Sequence, residues 1–581
     1  MSQQVHSPVS YFRLIVVLGI VFAVVAIMLW RAVDLHVMNK GFLQSQGNAR
    51  YMRTMPVAAH RGVITDRHGE PLAVSTPVDS VWINPAEFMT ARASWRKVIS
   101  LLSLNVEKVE RLVLQRAKRE FVYLKRHIRP ELAEQVSALN IPGVYLQREY
   151  HRYYPAGEVA AHVLGFTNID DAGQEGLELA YNDWLRGDSG RKMVIKDRLG
   201  RTIKHVESIQ AAEPGKDLAL SIDRRLQYLT YRELKRAVLQ YKAKSGSAVI
   251  LDTKTGEVLA MANQPSYNPN NRKKLDSYRL RNRAVTDVFE PGSTIKPFTV
   301  AAALESGQFK PNSIVNTSPG YFRIGKYVVQ DVKNYGRINL STIMAKSSNV
   351  GASKLALAIS AKNLTDVHSR IGFGIITGSG FPGEVGGILN MPNEKQLVEK
   401  ATLSYGYGLS VTPLQLARSY AAIANDGVLP AVSFTRIEEV ENETKVLSAK
   451  YAKQIREMLE GVVKKDGTGS RAAVAGYRIA GKTGTVKKAS AGGYSDNSYV
   501  AVFAGMAPAS NPRLAMVVTI NEPRGDVYYG GKVAAPVFSK VMSGALRLMN
   551  ISPDNISNKS AQFADASSFN NMNIISKRGA F

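Results

Sequence analysis

The chain has 581 residues, which is too long for one ordinary domain and suggests roughly three or four structural units. Hydrophobic residues make up 45% of it and charged residues 21%, the usual balance of a globular protein, and the absence of cysteine excludes disulfides, thiolate nucleophiles and cysteine-bound metals. The formal net charge of +27 is spread along the chain, which argues against nucleic acid as a partner and favours anionic lipid headgroups or another acidic polymer.

The first predicted element is a membrane-spanning helix. An uncharged run of 17 residues, from Leu14 to Trp30, lies between two arginines, and the apolar residues on either side extend it. No small-residue cleavage site follows the run, so we predict an uncleaved anchor over residues 14–33 behind a tail of residues 1–13. Basic residues lie on both sides of the run, so charge alone gives no orientation.

From about residue 245 the pattern predicts a mixed α/β (α+β) fold. Segment 252–256 (DTKTG) is typical of a hairpin turn, and segment 414–424 is helical in character. Strands at both ends of a region with helices between them predict an antiparallel sheet packed against helices. Beyond about residue 548 the chain is rich in Asn and Ser with few apolar residues, which predicts a disordered tail. The predicted strands share a β-type apolar composition: 247–251, 257–261, 499–504 and 514–520.

A candidate nucleophile opens one of the predicted helices. Ser293 and Lys296 form an SxxK pattern, and the spacing of three residues places both on one helical face. A serine hydroxyl needs a neighbouring base, and a desolvated lysine can remain neutral for that role. Two alternatives stand against this hypothesis: Ser293 is only a helix cap, or the match is fortuitous, since Ser94 and Lys97 form a second SxxK pattern.

Order and spacing separate this serine from chance matches. Ser347-Ser348-Asn349 follows Ser293 by 54 residues, and Lys482-Thr483-Gly484 follows Ser347 by a further 135. This is the SxxK, SxN, KTG order of penicillin-recognising serine enzymes. A second KTG, at residues 254–256, precedes the nucleophile and lies in the predicted turn, so we discard it.

Residues 476–483 also match the phosphate-binding pattern GxxxxGK[ST]. That loop needs a buried strand before its first glycine and a helix starting at its lysine. Here a poor strand precedes the first glycine, and a Lys/Gly/Ser-rich loop follows Lys482, so a nucleotide-binding function is not favoured. There is no HExxH pattern, and the nine histidines are scattered, so we predict neither a metal site nor a cofactor.

Four segments together resemble the transpeptidase domain of class B penicillin-binding proteins. They are PGSTIKP (291–297), KSSNVG (346–351), YGYGLSVTPLQLA (405–417) and KTGT (482–485). Upstream, RGVITDRHGEPLA (61–73) resembles the start of the N-terminal pedestal domain of that class. Two further segments, MANQPSYNPNN (261–271) and RNRAVTDVFEPGSTIKP (281–297), are most similar to its division-specific members, penicillin-binding protein 3.

The resemblance implies a domain organisation and a location. It predicts a dimerisation-type pedestal domain over residues 55–220 and a transpeptidase domain over 245–547, and it does not extend into the tail that the composition predicts to be disordered, residues 548–581. It places the protein in the inner membrane at the division site, with the catalytic domain in the periplasm. It also implies divisome partners, among them a membrane glycosyltransferase that pairs through the membrane helix.

The resemblance further implies a mechanism for cross-linking peptidoglycan. Ser293 attacks a D-Ala-D-Ala stem peptide with Lys296 as base, and Ser347 passes a proton to the departing D-Ala. Asn349 holds the peptide amide, and the KTGT segment binds the terminal carboxylate through Lys482, Thr483, Gly484 and Thr485. The backbone N–H groups of Ser293 and Thr485 form the oxyanion hole, an amine of a second stem takes the acyl group, and β-lactams stall at the ester.

Three alternatives remain open at this stage. A β-lactamase shares SxxK and KTG but deacylates with water, and the long N-terminal region argues against it. A non-catalytic β-lactam receptor or division scaffold would bind in the same pocket without transfer. An elongation-type class B enzyme would perform the same chemistry elsewhere in the cell.

Overall fold

The structure is a computed structural model that describes residues 11–41, 52–196, 202–273, 276–439, 444–490 and 493–555. The chain divides into two compact units. Unit 1 contains the residues up to His60 together with Pro77–Tyr150 and Gly187–Gly215. Unit 2 contains Arg61–Thr76, His151–Arg186 and the residues from Lys216 onward.

The elements of the described residues are numbered in chain order. The α-helices are α1 (Tyr11–Val33), α2 (Pro85–Thr90), α3 (Trp95–Leu101), α4 (Val106–Gln115), α5 (Pro130–Ala138), α6 (Ala161–Leu164), α7 (Gly176–Ala180), α8 (Asn182–Arg186), α9 (Arg224–Gln240), α10 (Arg283–Thr286), α11 (Lys296–Glu305), α12 (Leu340–Lys346), α13 (Asn349–Ala358), α14 (Ala361–Arg370), α15 (Leu397–Leu403), α16 (Pro413–Ala424), α17 (Ala449–Val463), α18 (Gly530–Val533) and α19 (Ala535–Leu548). The strands are β1 (Met52–Val57), β2 (Ile64–Thr65), β3 (Pro71–Ile83), β4 (Val122–Ile128), β5 (Val144–Tyr153), β6 (Phe166–Thr167), β7 (Gly173–Glu175), β8 (Gly190–Lys196), β9 (Thr202–Gln210), β10 (Leu218–Ala219), β11 (Ser245–Asp252), β12 (Val258–Gln264), β13 (Ile314–Asn316), β14 (Tyr321–Ile324), β15 (Tyr327–Gln330), β16 (Arg337–Asn339), β17 (Ile388–Leu389), β18 (Leu409–Ser410), β19 (Val428–Leu429), β20 (Thr444–Lys445), β21 (Ala480–Ser490), β22 (Gly493–Ala507) and β23 (Leu514–Asn521).

Helix α1 corresponds to the predicted membrane anchor. It covers Tyr11–Val33, and with the π-helical turn that follows it the helical segment runs to Met38, long enough to cross a bilayer. None of the side chains of α1 is buried against the other described residues. A largely apolar helix that is exposed in this way, near the N-terminus, fits a single-pass membrane anchor.

Unit 1 contains a small α/β core in addition to α1. Strands β1, β8 and β9 form an antiparallel sheet in the order β1-β8-β9. Strands β3 and β4 pair antiparallel, and helices α2–α5 cover a core in which Phe88 stacks on Trp95 with ring centroids 4.6 Å apart. The Trp95 indole N–H donates to the Phe88 carbonyl, so the pair is fixed by a polar contact as well as by burial.

Unit 2 is built on a five-stranded antiparallel sheet in the order β12-β11-β23-β22-β21. Helices α9 and α19 pack with one face of this sheet, and α16 packs with the other. The antiparallel sheet, the 252–256 hairpin and the helix at 414–424 are therefore confirmed. Strand β21 is the last in the order, so its outer edge is left without a strand neighbour among the described residues.

The predicted tail begins at the end of α19. Residues 551–555 are held by hydrogen bonds: Tyr477 donates its hydroxyl to the Ile551 carbonyl, and the Asp554 carboxylate accepts from the Arg478 N–H and the Ser510 hydroxyl. The rest of the predicted C-terminal tail, 556–581, lies outside the described residues, as do residues 1–10 of the predicted N-terminal tail, whose residues 11–13 belong to α1.

Candidate active site

The candidate nucleophile lies in a tight turn rather than in an α-helix. Ser293 belongs to a 3₁₀ turn, Gly292–Ile295, and α11 begins only at Lys296. The prediction that the helix opens at Ser293 was therefore wrong by three residues. The reason is Pro297: it has no N–H to donate to the Ser293 carbonyl, and the Lys296 N–H closes the shorter 3₁₀ ring instead. Ser293 makes no side-chain cap.

Two contacts fix the shape of this turn. Gly292 has φ +53°, and a Cβ there would lie 2.5 Å from a methyl group of Val486, so only glycine fits. The hydroxyl of the fully buried Tyr420, on α16, donates to the Thr294 carbonyl at 2.9 Å. The turn is therefore held between strand β21 and helix α16.

The SxN segment joins two helices, α12 and α13. Ser347 ends α12 in the left-handed conformation (φ +60°), which is strained for a residue with a side chain, and Ser348 caps the start of α13. The Lys296 ammonium donates to the Ser347 carbonyl at 2.6 Å and to the Asn349 side-chain oxygen at 2.8 Å. Its distance to the Ser347 hydroxyl is 3.2 Å.

The KTG segment reaches the same point from the sheet. Lys482 lies on the edge strand β21, and its Nζ is 2.9 Å from the Ser347 hydroxyl and 3.2 Å from the Thr483 carbonyl. The strand passes so close to the nucleophile turn that a Cβ at Gly484 would lie 3.0 Å from the Pro291 carbonyl. Segments separated by 54 and 135 residues in the sequence therefore meet, with one serine hydroxyl between two lysines.

Burial makes both lysines unusually acidic. Burial lowers the pKa of Lys482 to about 7. The pKa of Lys296 is also lowered, first by burial and then by the positive charge of Lys482, while the Asp331 carboxylate opposes the shift. Among the described residues no hydrogen bond joins the Ser293 hydroxyl to Lys296 Nζ, so the direct contact expected between nucleophile and base is not made in this conformation.

Asp331 is a buried residue of this site that the sequence did not reveal. One carboxylate oxygen accepts from the Ser348 hydroxyl at 2.5 Å, and the other accepts from the N–H groups of Asn349 (2.5 Å) and Val350 (3.1 Å). A carboxylate at a helix N-terminus is favoured by the helix dipole. Asp331 therefore fixes the SxN segment, but it follows strand β15 in no recognisable motif.

The two threonines of the KTGT segment are already oriented. The Thr485 hydroxyl accepts from the Gly530 N–H at 2.9 Å, which leaves its own proton free to donate. The Thr483 hydroxyl lies 2.8 Å from that of Thr468, a partner that the sequence analysis missed because Thr468 lies in an unremarkable loop. Both hydroxyls can contribute to binding an anion beside Lys482.

The alternative motif matches lie elsewhere. Ser94 and Lys97 are in unit 1, in a short turn and in α3. Lys254 lies in the β11–β12 turn and donates to the side chain of Asn425. Lys482 lies within a strand, not at the start of a helix, so the phosphate-binding-loop interpretation has no structural support.

The comparisons with known proteins agree with this geometry. The penicillin binding protein transpeptidase domain matches residues 246–543, and the penicillin-binding protein dimerisation domain matches residues 56–220. Peptidoglycan D,D-transpeptidase FtsI of Escherichia coli is 44% identical over 95% of this chain and 94% of its own length. The chain belongs to the penicillin-binding protein family.

Other members of the family are also similar to this chain. The probable peptidoglycan D,D-transpeptidase PenA of Neisseria meningitidis is 41% identical over 95% of each chain. The solved transpeptidase domain of Burkholderia pseudomallei penicillin-binding protein 3 is 42% identical, with a TM-score of 0.53 over 58% of this chain and 97% of that one. The resemblance inferred from the motifs is therefore confirmed at the level of family and fold.

Proposed function

We propose that this penicillin-binding protein is a peptidoglycan D,D-transpeptidase that cross-links stem peptides at the division septum through an acyl-enzyme on Ser293. The observation that carries the proposal is the convergence of Lys296, Ser347 and Lys482 beside the Ser293 turn. Two buried lysines of lowered pKa around one serine hydroxyl form a proton-transfer chain suited to acyl transfer at neutral pH.

The first step forms the ester. The Ser293 oxygen attacks the carbonyl carbon of the penultimate D-Ala, and neutral Lys296 takes the hydroxyl proton. The N–H groups of Ser293 and Thr485 hold the developing oxyanion; losing one such donor typically costs about 3–4 kcal/mol. When the C–N bond breaks, Ser347 gives its proton to the leaving amine and regains one from a lysine beside it.

The substrate's terminal carboxylate is bound by the KTGT segment. Lys482 and the hydroxyls of Thr483 and Thr485 offer a cation and two donors for this anion. Asn349 accepts from Lys296 through its oxygen, and its NH₂ group, only weakly held by the Gln330 carbonyl at 3.3 Å, is the part that binds the peptide amide. An amine of a neighbouring stem then attacks the ester and regenerates Ser293.

β-Lactams are the expected inhibitors, since they acylate the same serine and the resulting ester breaks down slowly. A related solved structure, Mycobacterium tuberculosis penicillin-binding protein 3, is titled as a complex with aztreonam and is 28% identical to this chain, with a TM-score of 0.66. Helix α1 anchors the protein in the inner membrane, and we place the catalytic unit in the periplasm at the division site. A divisome glycosyltransferase is the partner that we expect at α1.

Labelling with a fluorescent penicillin tests the assignment of the nucleophile. The Ser293→Ala variant should lose the label, the Ser94→Ala control should keep it, and mass mapping should place the adduct on the Ser293 peptide. An adduct elsewhere, or a labelled Ser293→Ala protein, contradicts the proposal.

Three further measurements separate the alternatives. Rapid turnover of penicillin would indicate a β-lactamase. Acylation without D-Ala release from a wall precursor would indicate a receptor or scaffold. Depletion that produces round cells instead of filaments would indicate an elongation-type enzyme.

A further inference from the structure

Unit 2 contains a cavity, apart from the candidate active site, that the proposed chemistry does not use. Its volume is about 310 Å³, in the range of small-ligand sites. It lies against the five-stranded sheet, between the start of β11, Val500 of β22, the end of β23 and residues 486–488 of β21. Segment 287–290, which leads directly into the nucleophile turn, forms another wall.

The sheet face changes character at this cavity. Along β11, Val249 and Leu251 are buried in the main hydrophobic core, whereas Ser245 and Ser247, on the same face, line the cavity. On β23 the apolar residue Val517 likewise gives way to Thr519. These hydroxyls have protein partners: Ser247 donates to Asn263, Thr519 donates to the Ser247 carbonyl, and Ser245 accepts from Asn521. The cavity therefore has a polar sheet side, unlike the apolar core beside it.

Arg283 supplies a buried cation with unused donors. It is 8% exposed, and among the described residues its five N–H donors meet only two carbonyls, those of Tyr278 (2.6 Å) and Arg281 (3.5 Å, at the limit of a hydrogen bond). The nearest carboxylate oxygen, on Asp287, lies 3.7 Å from Nε, and the other oxygen of Asp287 already accepts from the Arg281 side chain at 2.6 Å.

The lining carries other charged groups. Lys487 and Lys488 lie on β21, and Lys488 pairs with Glu522 at 2.5 Å. One oxygen of Glu290 accepts from the Gly408 N–H and the Tyr494 hydroxyl, and the other is buried without a hydrogen-bond partner among the described residues. Arg283 is therefore the group positioned to receive an anion, and apolar walls formed by Phe289, Val486 and Val500 are available to the rest of a ligand.

We propose that this cavity binds a small monocarboxylate with an apolar body, its carboxylate on Arg283 and its body against Phe289, Val486 and Val500. Such a ligand contacts the segment before Ser293 and the strand that carries the KTG lysine. Its occupancy therefore changes the rate at which Ser293 is acylated. The site is separate from the carboxylate-binding group at Lys482.

Benzoate and its neutral isostere benzamide test the proposal on the full-length protein. In saturation-transfer NMR, benzoate should bind saturably and at least ten-fold more tightly than benzamide, because only benzoate offers an anion to Arg283. The binding should persist after Ser293 has been acylated by penicillin, because the cavity is not the substrate groove. Saturating benzoate should also shift the rate of fluorescent-penicillin labelling at least two-fold.

Variants locate the binding. Arg283→Gln should abolish the preference for benzoate, and Arg232→Gln, an exposed arginine on α9, should leave it unchanged. If Arg283→Gln lowers the melting temperature strongly, Thr519→Val provides a second change in the lining without loss of charge. This variant should weaken the binding of benzoate at least three-fold. Equal binding of both probes, no saturable binding (a hydrated cavity only) or loss of benzoate on acylation would each overturn the proposal.

Discussion

Replacing Asp331 by asparagine tests how much of the site depends on one buried carboxylate. The change keeps the size of the side chain but removes its charge, and it places an NH₂ group where an oxygen accepts hydrogen bonds from Ser348 or from the N-terminus of α13. A hydrogen bond to a charged group contributes about 1.5–3 kcal/mol, and the helix dipole adds up to about 1 kcal/mol. Because asparagine retains one acceptor, we expect a net loss of about 2–4 kcal/mol.

Two measurements follow from this magnitude. The loss should lower the melting temperature by roughly 3–5 °C, because the unfolding entropy of a unit of this size is large. Because Ser347 and Asn349 both depend on the position of this helix start, the second-order rate of penicillin acylation should fall about 100-fold, the order expected for a misplacement near 1 Å. Asp366→Asn is the matched control: this aspartate is 54% exposed, pairs with Arg370 on the surface of α14, and should change stability by under about 1 kcal/mol.

The pH dependence gives a third, independent readout. Asp331 opposes the depression of the Lys296 pKa, so its loss should lower that pKa further. If neutral Lys296 is the base, the acid limb of the acylation profile should then move to lower pH while the plateau falls. A variant that acylates at the wild-type rate, with an unchanged profile and melting temperature, would refute the assignment of Asp331 as a positioning residue.

Three further predictions concern the turn and the lysines. Gly292→Ala should reduce the rate of penicillin acylation at least 100-fold, because φ +53° disfavours a side chain and the new Cβ meets Val486. The double variant Gly292→Ala/Val486→Ala should recover part of the rate. A wild-type rate for the single variant would contradict the contact. Tyr420→Phe leaves the buried Thr294 carbonyl without its donor, so unfolding free energy should fall by about 1–3 kcal/mol and acylation should slow; equal stability in a denaturation assay would argue against this hydrogen bond. Lys482 is protonated in the unfolded chain up to about pH 10, but in the folded protein only below about pH 7. Between these values the unfolded state binds more protons, so Lys482 makes the stability rise with pH. Lys482→Met should therefore raise the melting temperature most near pH 6, and the gain should shrink towards pH 9.5. A gain that does not vary with pH would show that the pKa of Lys482 is not lowered in the folded protein.

Several features could be predicted because their signals are local or fixed by chain order. The anchor follows from an unbroken apolar run, and the β11–β12 hairpin follows from two β-type runs around a DTKTG turn. The candidate site residues could be selected because three short motifs occur in one order. In the structure the Nζ atoms of Lys296 and Lys482 both lie within hydrogen-bonding distance of the Ser347 hydroxyl.

Other features required the tertiary structure because they depend on atoms far apart in the sequence. The 3₁₀ turn at Ser293 was missed because the effect of Pro297 on a preceding carbonyl competes with a strong helical pattern. Asp331 and Thr468 carry no motif, and their roles arise only because β15 and a loop end beside the SxN and KTG segments. The cavity at Arg283 also depends on residues far apart in the sequence, since Ser247, Val486 and Thr519 line it together with Arg283.

The amino-acid sequence by itself determined the candidates for the chemistry of this protein: one serine, two lysines and the order of their motifs, since these are properties of residue type and spacing. Only the tertiary structure decided how that chemistry is tuned. The pKa of each lysine depends on desolvation and on the charges around it, and those depend on which distant segments pack against it.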